Sequence, residues 1–255
     1  MLIAAAVCPH PPLLVPDASG RSGPGDAELG RLRTACHEAV AALWAQRPDL
    51  IAVVGGASQT TEYPPRAIGS LCEFGVPFAV GEDPQGQGGQ GGQGGQRGQP
   101  VLPLSLTIGR WLLTPQLEST ASGDRRLAIA LRGINTAAPT VECLRLGEKL
   151  AALAPRVALL VMGDGPGRRA RGVPGARDGL ADRYDERVAA ALAEADPGSL
   201  AALDPRQDGE LLVAGRAAWQ VLAGAAAHDR FAAELRYAAA PFEVTYFVAS
   251  WRRAH

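Results

Sequence analysis

The sequence predicts an α/β protein, a three-layer sandwich whose largely parallel or mixed central sheet is flanked by helices, and three observations lead there. Short apolar runs at 2–7, 51–54 and 157–162 have the length of strands buried on both faces. Longer stretches of helical composition alternate with them, and the runs end in glycine- or proline-rich turns. At 255 residues and 47% hydrophobic content, the chain suits one large domain spanning residues 1–255.

The first run stops at Cys8-Pro9-His10-Pro11-Pro12. Proline cannot donate to a ladder, so the strand ends at about Pro9 and leaves His10 at its carboxyl tip. Residues 27–46 then carry apolar Leu29, Leu32, Cys36, Val40 and Leu43 at spacings of three and four, a helix that Pro48 ends. Residues 49–56 read as a second buried strand running into a glycine turn. Strand, helix, strand predicts a right-handed βαβ unit, with His10 and residues 55–59 on the same edge of the sheet.

The repeat at 85–99 (QGQGGQGGQGGQRGQ) has nothing to bury and reads as a disordered surface insertion without function. Beyond it, 101–106 reads as a strand, 107–113 as a short helix before Pro115, and 127–131 as a strand. An amphipathic helix follows at 141–154, with Leu144, Leu146, Leu150 and Leu153 among its apolar positions. Residues 157–162 form a central buried strand ending in Gly163-Asp164-Gly165-Pro166-Gly167. Helices at 178–194 and 207–223 come next, and the β-branched and aromatic 244–249 closes the chain as a strand.

A net charge of -1 gives no electrostatic case for nucleic acid or an anionic membrane, so the expected partner is a small molecule or another protein. Association with a second copy of the chain stays open. Cys8, Cys36, Cys72 and Cys143 show no CxxC or zinc-ribbon spacing and are expected as free thiols in a reducing cytoplasm. The N-terminal run lacks the basic flank and length of a signal peptide, and no run approaches the roughly 20 apolar residues of a membrane span. A single lysine, Lys149, among many arginines, with abundant alanine and glycine, suggests a GC-rich bacterial genome.

Four places carry candidate chemistry. His10 sits where open α/β sheets bind ligands, and neutral imidazole is the commonest protein ligand for transition metals. Asp164, at the tip of 157–162, reads equally as a general base or a turn-forming residue. Gly163, Gly165 and Gly167 followed by Arg168, Arg169 and Arg171 offer amides and guanidinium groups to an anion, although the spacing fits neither Walker A nor the dinucleotide fingerprint. Ser58 and Gln59 follow the second strand without a G-x-S-x-G elbow, which leaves hydrolysis through Ser58 and Asp164 a remote reading. His37 reads as structural, and neither His228 nor His255 joins an HxH or HExxH spacing. Any metal argument therefore starts from His10 alone.

The segment Ala6-Val7-Cys8-Pro9-His10-Pro11-Pro12-Leu13, the strand before Gly56, the tip Gly163-Asp164-Gly165 and the closing Tyr246-Phe247-Val248-Ala249 together resemble the class III extradiol ring-cleavage dioxygenase superfamily, which includes the Memo-like proteins. The resemblance covers most of the chain in element order, and His-Pro-Pro is its specific motif. It implies Fe(II) held by two histidines and a carboxylate, with a further acid-base histidine nearby. His10 matches the first metal histidine. Gly56-Ala57-Ser58-Gln59 stands where the second belongs, and residues 163–167 keep Asp164 but have glycine where the acid-base histidine belongs. Glu234 and Glu243 are the candidates for the third ligand.

Two readings follow. If active, the chain is an Fe(II)-dependent dioxygenase opening a catechol-like ring, with Asp164 as its catalytic or positioning carboxylate and Ser58, Gln59, Arg168 and Arg169 toward the substrate. The alternative is a non-catalytic protein on the same fold, binding no metal and holding a carboxylate or phosphate compound with Arg168, Arg169 and Arg171.

Overall fold

The computed structural model describes residues 1–16, 26–81, 101–120, 127–167 and 178–254. The repeat at 85–99, Arg168, Arg169, Arg171 and His255 lie outside the described residues.

A seven-stranded sheet forms the middle layer. Its strands are β1 (Leu2–Cys8), β2 (Leu50–Ala57), β3 (Thr61–Tyr63), β6 (Ala128–Asn135), β7 (Val157–Met162), β8 (Phe231–Ala239) and β9 (Tyr246–Arg253), in the order β3-β6-β2-β7-β1-β9-β8. A separate two-stranded ribbon pairs β4 (Gly69–Ser70) with β5 (Ala79–Val80). The four central strands β6, β2, β7 and β1 are parallel, whereas β3, β9 and β8 each run antiparallel to their neighbour. β1 and β2 are thus parallel as their βαβ pattern predicts, but β7 is inserted between them.

The period-two alternation of the strands divides the core in two. On β7, Val157, Leu159 and Val161 face one helical layer while Ala158, Leu160 and Met162 face the other. The second layer is α1 (Asp26–Ala45) and α2 (Leu104–Thr120). In α1 all five residues of the apolar stripe are buried, so that face packs on the sheet. The first layer is α3 (Thr140–Ala151), α4 (Asp178–Glu194), α5 (Pro197–Ala201), α6 (Pro205–Leu211) and α7 (Arg216–Ala226). This is the three-layer α/β sandwich that the alternation of runs predicts.

Three expectations need correction. Residues 101–106 are not a strand: Leu102 makes one isolated bridge to Gly69, and α2 begins at Leu104. Pro103 precedes the helix, its carbonyl accepting from the amide of Thr107, and the helix continues through Pro115 to Thr120 instead of stopping before it. The alternating apolar pattern of VLPLSL misled the reading by period; proline at a helix entrance is the competing signal. The expected helix 207–223 is two helices, broken where Leu212 adopts a left-handed conformation at φ 53°. The chain also ends in a hairpin, β8 with β9, of which the sequence pattern revealed only the second strand; the alanine-rich FAAELRYAA has weak β propensity.

The break frees α7 to become the centre of its layer, buried at every position. The side chains of Arg216 and Gln220 are hydrogen-bonded internally, whereas Trp219 Nε1 is buried without a hydrogen bond among the described residues. Arg216, 1% exposed, donates from Nε to Asp208 Oδ2 (2.7 Å), from Nη1 to Ala138 O (2.6 Å) and Gln220 Oε1 (3.0 Å), and from Nη2 to Thr136 O (2.8 Å). Gln220 Nε2 donates to Ala201 O and Leu203 O. Such a buried cation is tolerable because its donors are matched. The crossing with α3 is at backbone contact. A Cβ on Gly147 would run into Val221 O and sit 2.5 Å from Ala225 N, while one on Gly224 would run into Leu144 O.

Candidate functional site

The site begins with what proline denies. Among residues 9–12 only His10 has a backbone N–H. That N–H donates to Asp164 Oδ1 at 2.8 Å, which ties the tip of β1 to the tip of β7 beside it. The imidazole follows: His10 Nδ1 is 3.5 Å from the same oxygen, within ion-pair range but longer than a hydrogen bond. Nδ1 is buried and makes no hydrogen bond. Both side chains are largely covered, 10% exposed for His10 and 16% for Asp164.

Asp164 is the electrostatic centre of this corner. Burial first, and then the charge of Asp164, push the Tyr246 hydroxyl well above the ordinary tyrosine range. The Cys36 thiol is pushed up by burial first, next by its contact with Cys8, and also by Asp164. The carboxylate therefore lies among groups that stay neutral. No local pattern marked Tyr246 and Cys36 as neighbours of the site, because each reads as an apolar position of its own strand or helix.

The glycine-rich segment after β7 proves to be bound in place. Gly163 N donates to Cys8 O (3.0 Å), Gly165 N to Thr245 O (2.8 Å) and Gly167 N to Leu211 O (3.0 Å), while Ala214 N donates to Asp164 O (3.2 Å). All three glycine amides are spent, so residues 163–167 are neither a free surface loop nor a cradle of amides for an anion. A Cβ on Gly165 would sit 2.8 Å from Phe247 Cε2 and from Thr245 O. Glycine stands there because β9 and its preceding loop approach that closely. The α6–α7 break has the same cause, since it delivers Leu211 O and Ala214 N to this segment.

The other predicted residues that are described, Glu234, Glu243, Ser58 and Gln59, do not converge on His10. Glu234 lies on β8 opposite Ser250, which is itself level with Ala6, so it is two strands, roughly 10 Å, across the sheet from β1. Its carboxylate pairs with Arg236 at 2.6 Å. Glu243 is exposed, at φ 64°, in the connection between β8 and β9. Ser58 and Gln59 are exposed just past β2, on the same edge as His10 but beyond β7. Among the described residues, no three His, Cys, Asp or Glu side chains gather where a metal ion could sit. The set His10, Glu234 and Glu243 is therefore not a facial triad here, and the residues present do not fit a resident Fe(II). The arrangement offers an imidazole beside a carboxylate and a phenol: groups that accept or donate hydrogen bonds and move protons.

In comparisons with known proteins, no family model and no curated protein matches the chain. Among solved structures, an uncharacterized protein JW3007 from Escherichia coli K12 is similar at 14% identity and a TM-score of 0.45, over 97% of this chain and 99% of that one. At that level the likeness supports no functional inference. No helix among the described residues is long and apolar enough to cross a membrane.

Proposed function

We propose that the chain is a small-molecule-binding protein descended from the class III extradiol dioxygenase superfamily, taking its ligand at the carboxyl tips of β1 and β7 and holding no iron there. The observation that carries this reading is the meeting of His10 and Asp164 without a third metal-capable side chain among the described residues. Descent is supported by the three-layer α/β architecture and by His-Pro-Pro at the tip of the first strand. The ligand class is a small carboxylate or phosphate compound. The amides of Gly163, Gly165 and Gly167 are spent, so its charge would be met by side chains, those of His10 and of Arg168 and Arg169 immediately downstream in sequence.

Anaerobic reconstitution with Fe(II), followed by elemental analysis of the wild type and His10→Ala, tests the absence of iron. Sub-stoichiometric metal in both is the expected result. Stoichiometric iron that His10→Ala loses would overturn the reading in favour of iron-dependent ring opening of a catechol-like substrate. A thermal-shift screen of carboxylates and phosphates should give hits that weaken in His10→Ala and in the Arg168→Ala/Arg169→Ala double variant; hits indifferent to both would overturn the binding site.

A further inference from the structure

A second polar cluster lies in the helical layer, between α4 and α6. Leu180, Arg183, Tyr184 and Arg187 of α4, with Gln207 of α6, line a cavity of about 140 Å³. One water needs roughly 10–15 Å³ of such volume, so there is room for a larger polar group. Arg183 and Arg187 are one helical turn apart on the same face of α4, both exposed, and neither forms an ion pair among the described residues. Between them in sequence, Tyr184 is only 3% exposed, yet its hydroxyl is buried without a hydrogen-bond partner. Leaving a buried hydroxyl unpaired costs stability, and most buried polar atoms in native proteins are paired.

The acidic groups nearby, Asp185 and Asp208, do not line the cavity. Asp185 Oδ2 accepts from Thr245 Oγ1, and Asp208 Oδ2 accepts from Arg216 Nε. Burial and the charge of Asp208 hold the Tyr184 phenol in its protonated, donating form. What remains in the cavity is a set of donors: two guanidinium groups, a phenolic hydroxyl and the amide of Gln207. Their common complement is an anion with several acceptor oxygens.

We infer that the cleft between α4 and α6 is an oxyanion site that takes a phosphate group, with Arg183 and Arg187 as its charged walls and the Tyr184 hydroxyl as its buried donor. Its lining residues are not those of the His10–Asp164 corner. The phosphate group has two sources, free inorganic phosphate or a phosphomonoester.

Calorimetric titration of the full chain with inorganic phosphate, phenyl phosphate and acetate at constant ionic strength tests this. Saturable binding of phosphate or phenyl phosphate, weakened about tenfold or more in Arg183→Gln and in Arg187→Gln and little changed in Arg206→Gln, is the expected result. Tighter binding of phenyl phosphate identifies a monoester as the source; equal or weaker binding identifies free phosphate. Tyr184→Phe should weaken binding while leaving the unliganded protein as stable as the wild type or more so, since it removes an unsatisfied hydroxyl. Absence of saturable binding would overturn the inference. So would binding that survives both arginine changes but is lost in Arg168→Ala/Arg169→Ala, or a Tyr184→Phe variant that is destabilised and binds phosphate normally, which would mean that the hydroxyl serves Asp208.

Discussion

The strand-tip corner and the α4–α6 cleft differ in what their polar groups are used for: main-chain groups at the corner are joined to one another, while side-chain donors in the cleft face open space. At the corner, the amides of Gly163, Gly165 and Gly167, the carbonyl of Asp164 and the N–H of His10 all find partners in the chain. In the cleft, among the described residues, two arginines have no ion-pair partner and a buried tyrosine hydroxyl has no hydrogen bond. The segment that looks most like an anion loop in sequence is therefore joinery, and the donors that line an open cleft belong to residues 183, 184, 187 and 207, which no motif connects. Glycine in a loop marks an anion site only when its amides remain unspent.

The largest effect that would break this contrast is at Gly165. Replacing it with alanine brings a methyl group against Phe247 and Thr245 O, and a loss of about 1–3 kcal/mol in urea unfolding is expected. A change within about 0.5 kcal/mol would mean that residues 163–167 behave as an ordinary surface loop. Next comes Asp164→Ala, which strands the only N–H of residues 9–12; a loss of about 1–3 kcal/mol is expected, with much of it recovered in Asp164→Asn because the amide oxygen still accepts. Equal losses in the two variants would make the charge, and not the acceptor, the stabilising element.

Smaller effects sharpen the other side. Arg183→Gln and Arg187→Gln should each leave unfolding within about 0.5 kcal/mol of wild type, because neither side chain holds the fold together. A larger loss would show that these arginines are structural. The smallest effect is the titration of His37, half-buried against the edge of Trp111. Burial first, and Arg33 second, lower its pKa from the ordinary 6.5, so the unfolded chain takes up the proton more readily. Stability from this group is then complete above about pH 6.5 and declines as pH falls through the lowered value. His37→Leu should flatten the dependence of the melting temperature on pH in that window; an unchanged slope would place its origin elsewhere.

Much of the scaffold was legible. The strand at 157–162 and the helix at 178–194 form with the bounds that their patterns predict, because a fully apolar run and a clean helical segment satisfy local and tertiary demands together. Reading failed where tertiary contacts overrode local preference. FAAELRYAA becomes a strand because β9 offers it an edge, and 207–223 divides because the tip of β7 needs Leu211 O and Ala214 N. Of the candidate site, the tip positions of His10 and Asp164 followed from proline and strand-end signals. Their hydrogen bond did not, and neither did the separation of Glu234, because the distance between two strand tips depends on strand order.

By itself, the sequence determined the layering, the parallel centre of the sheet and the stop that puts His10 at a carboxyl edge: all consequences of short-range periodicity and of proline's missing donor. Only the tertiary structure decided that β7 lies between β1 and β2, that Asp164 therefore reaches His10, and that the glycine amides are consumed. Strand order and close approach arise from contacts between residues distant in the chain, 154 residues apart for His10 with Asp164, and no local pattern encodes them.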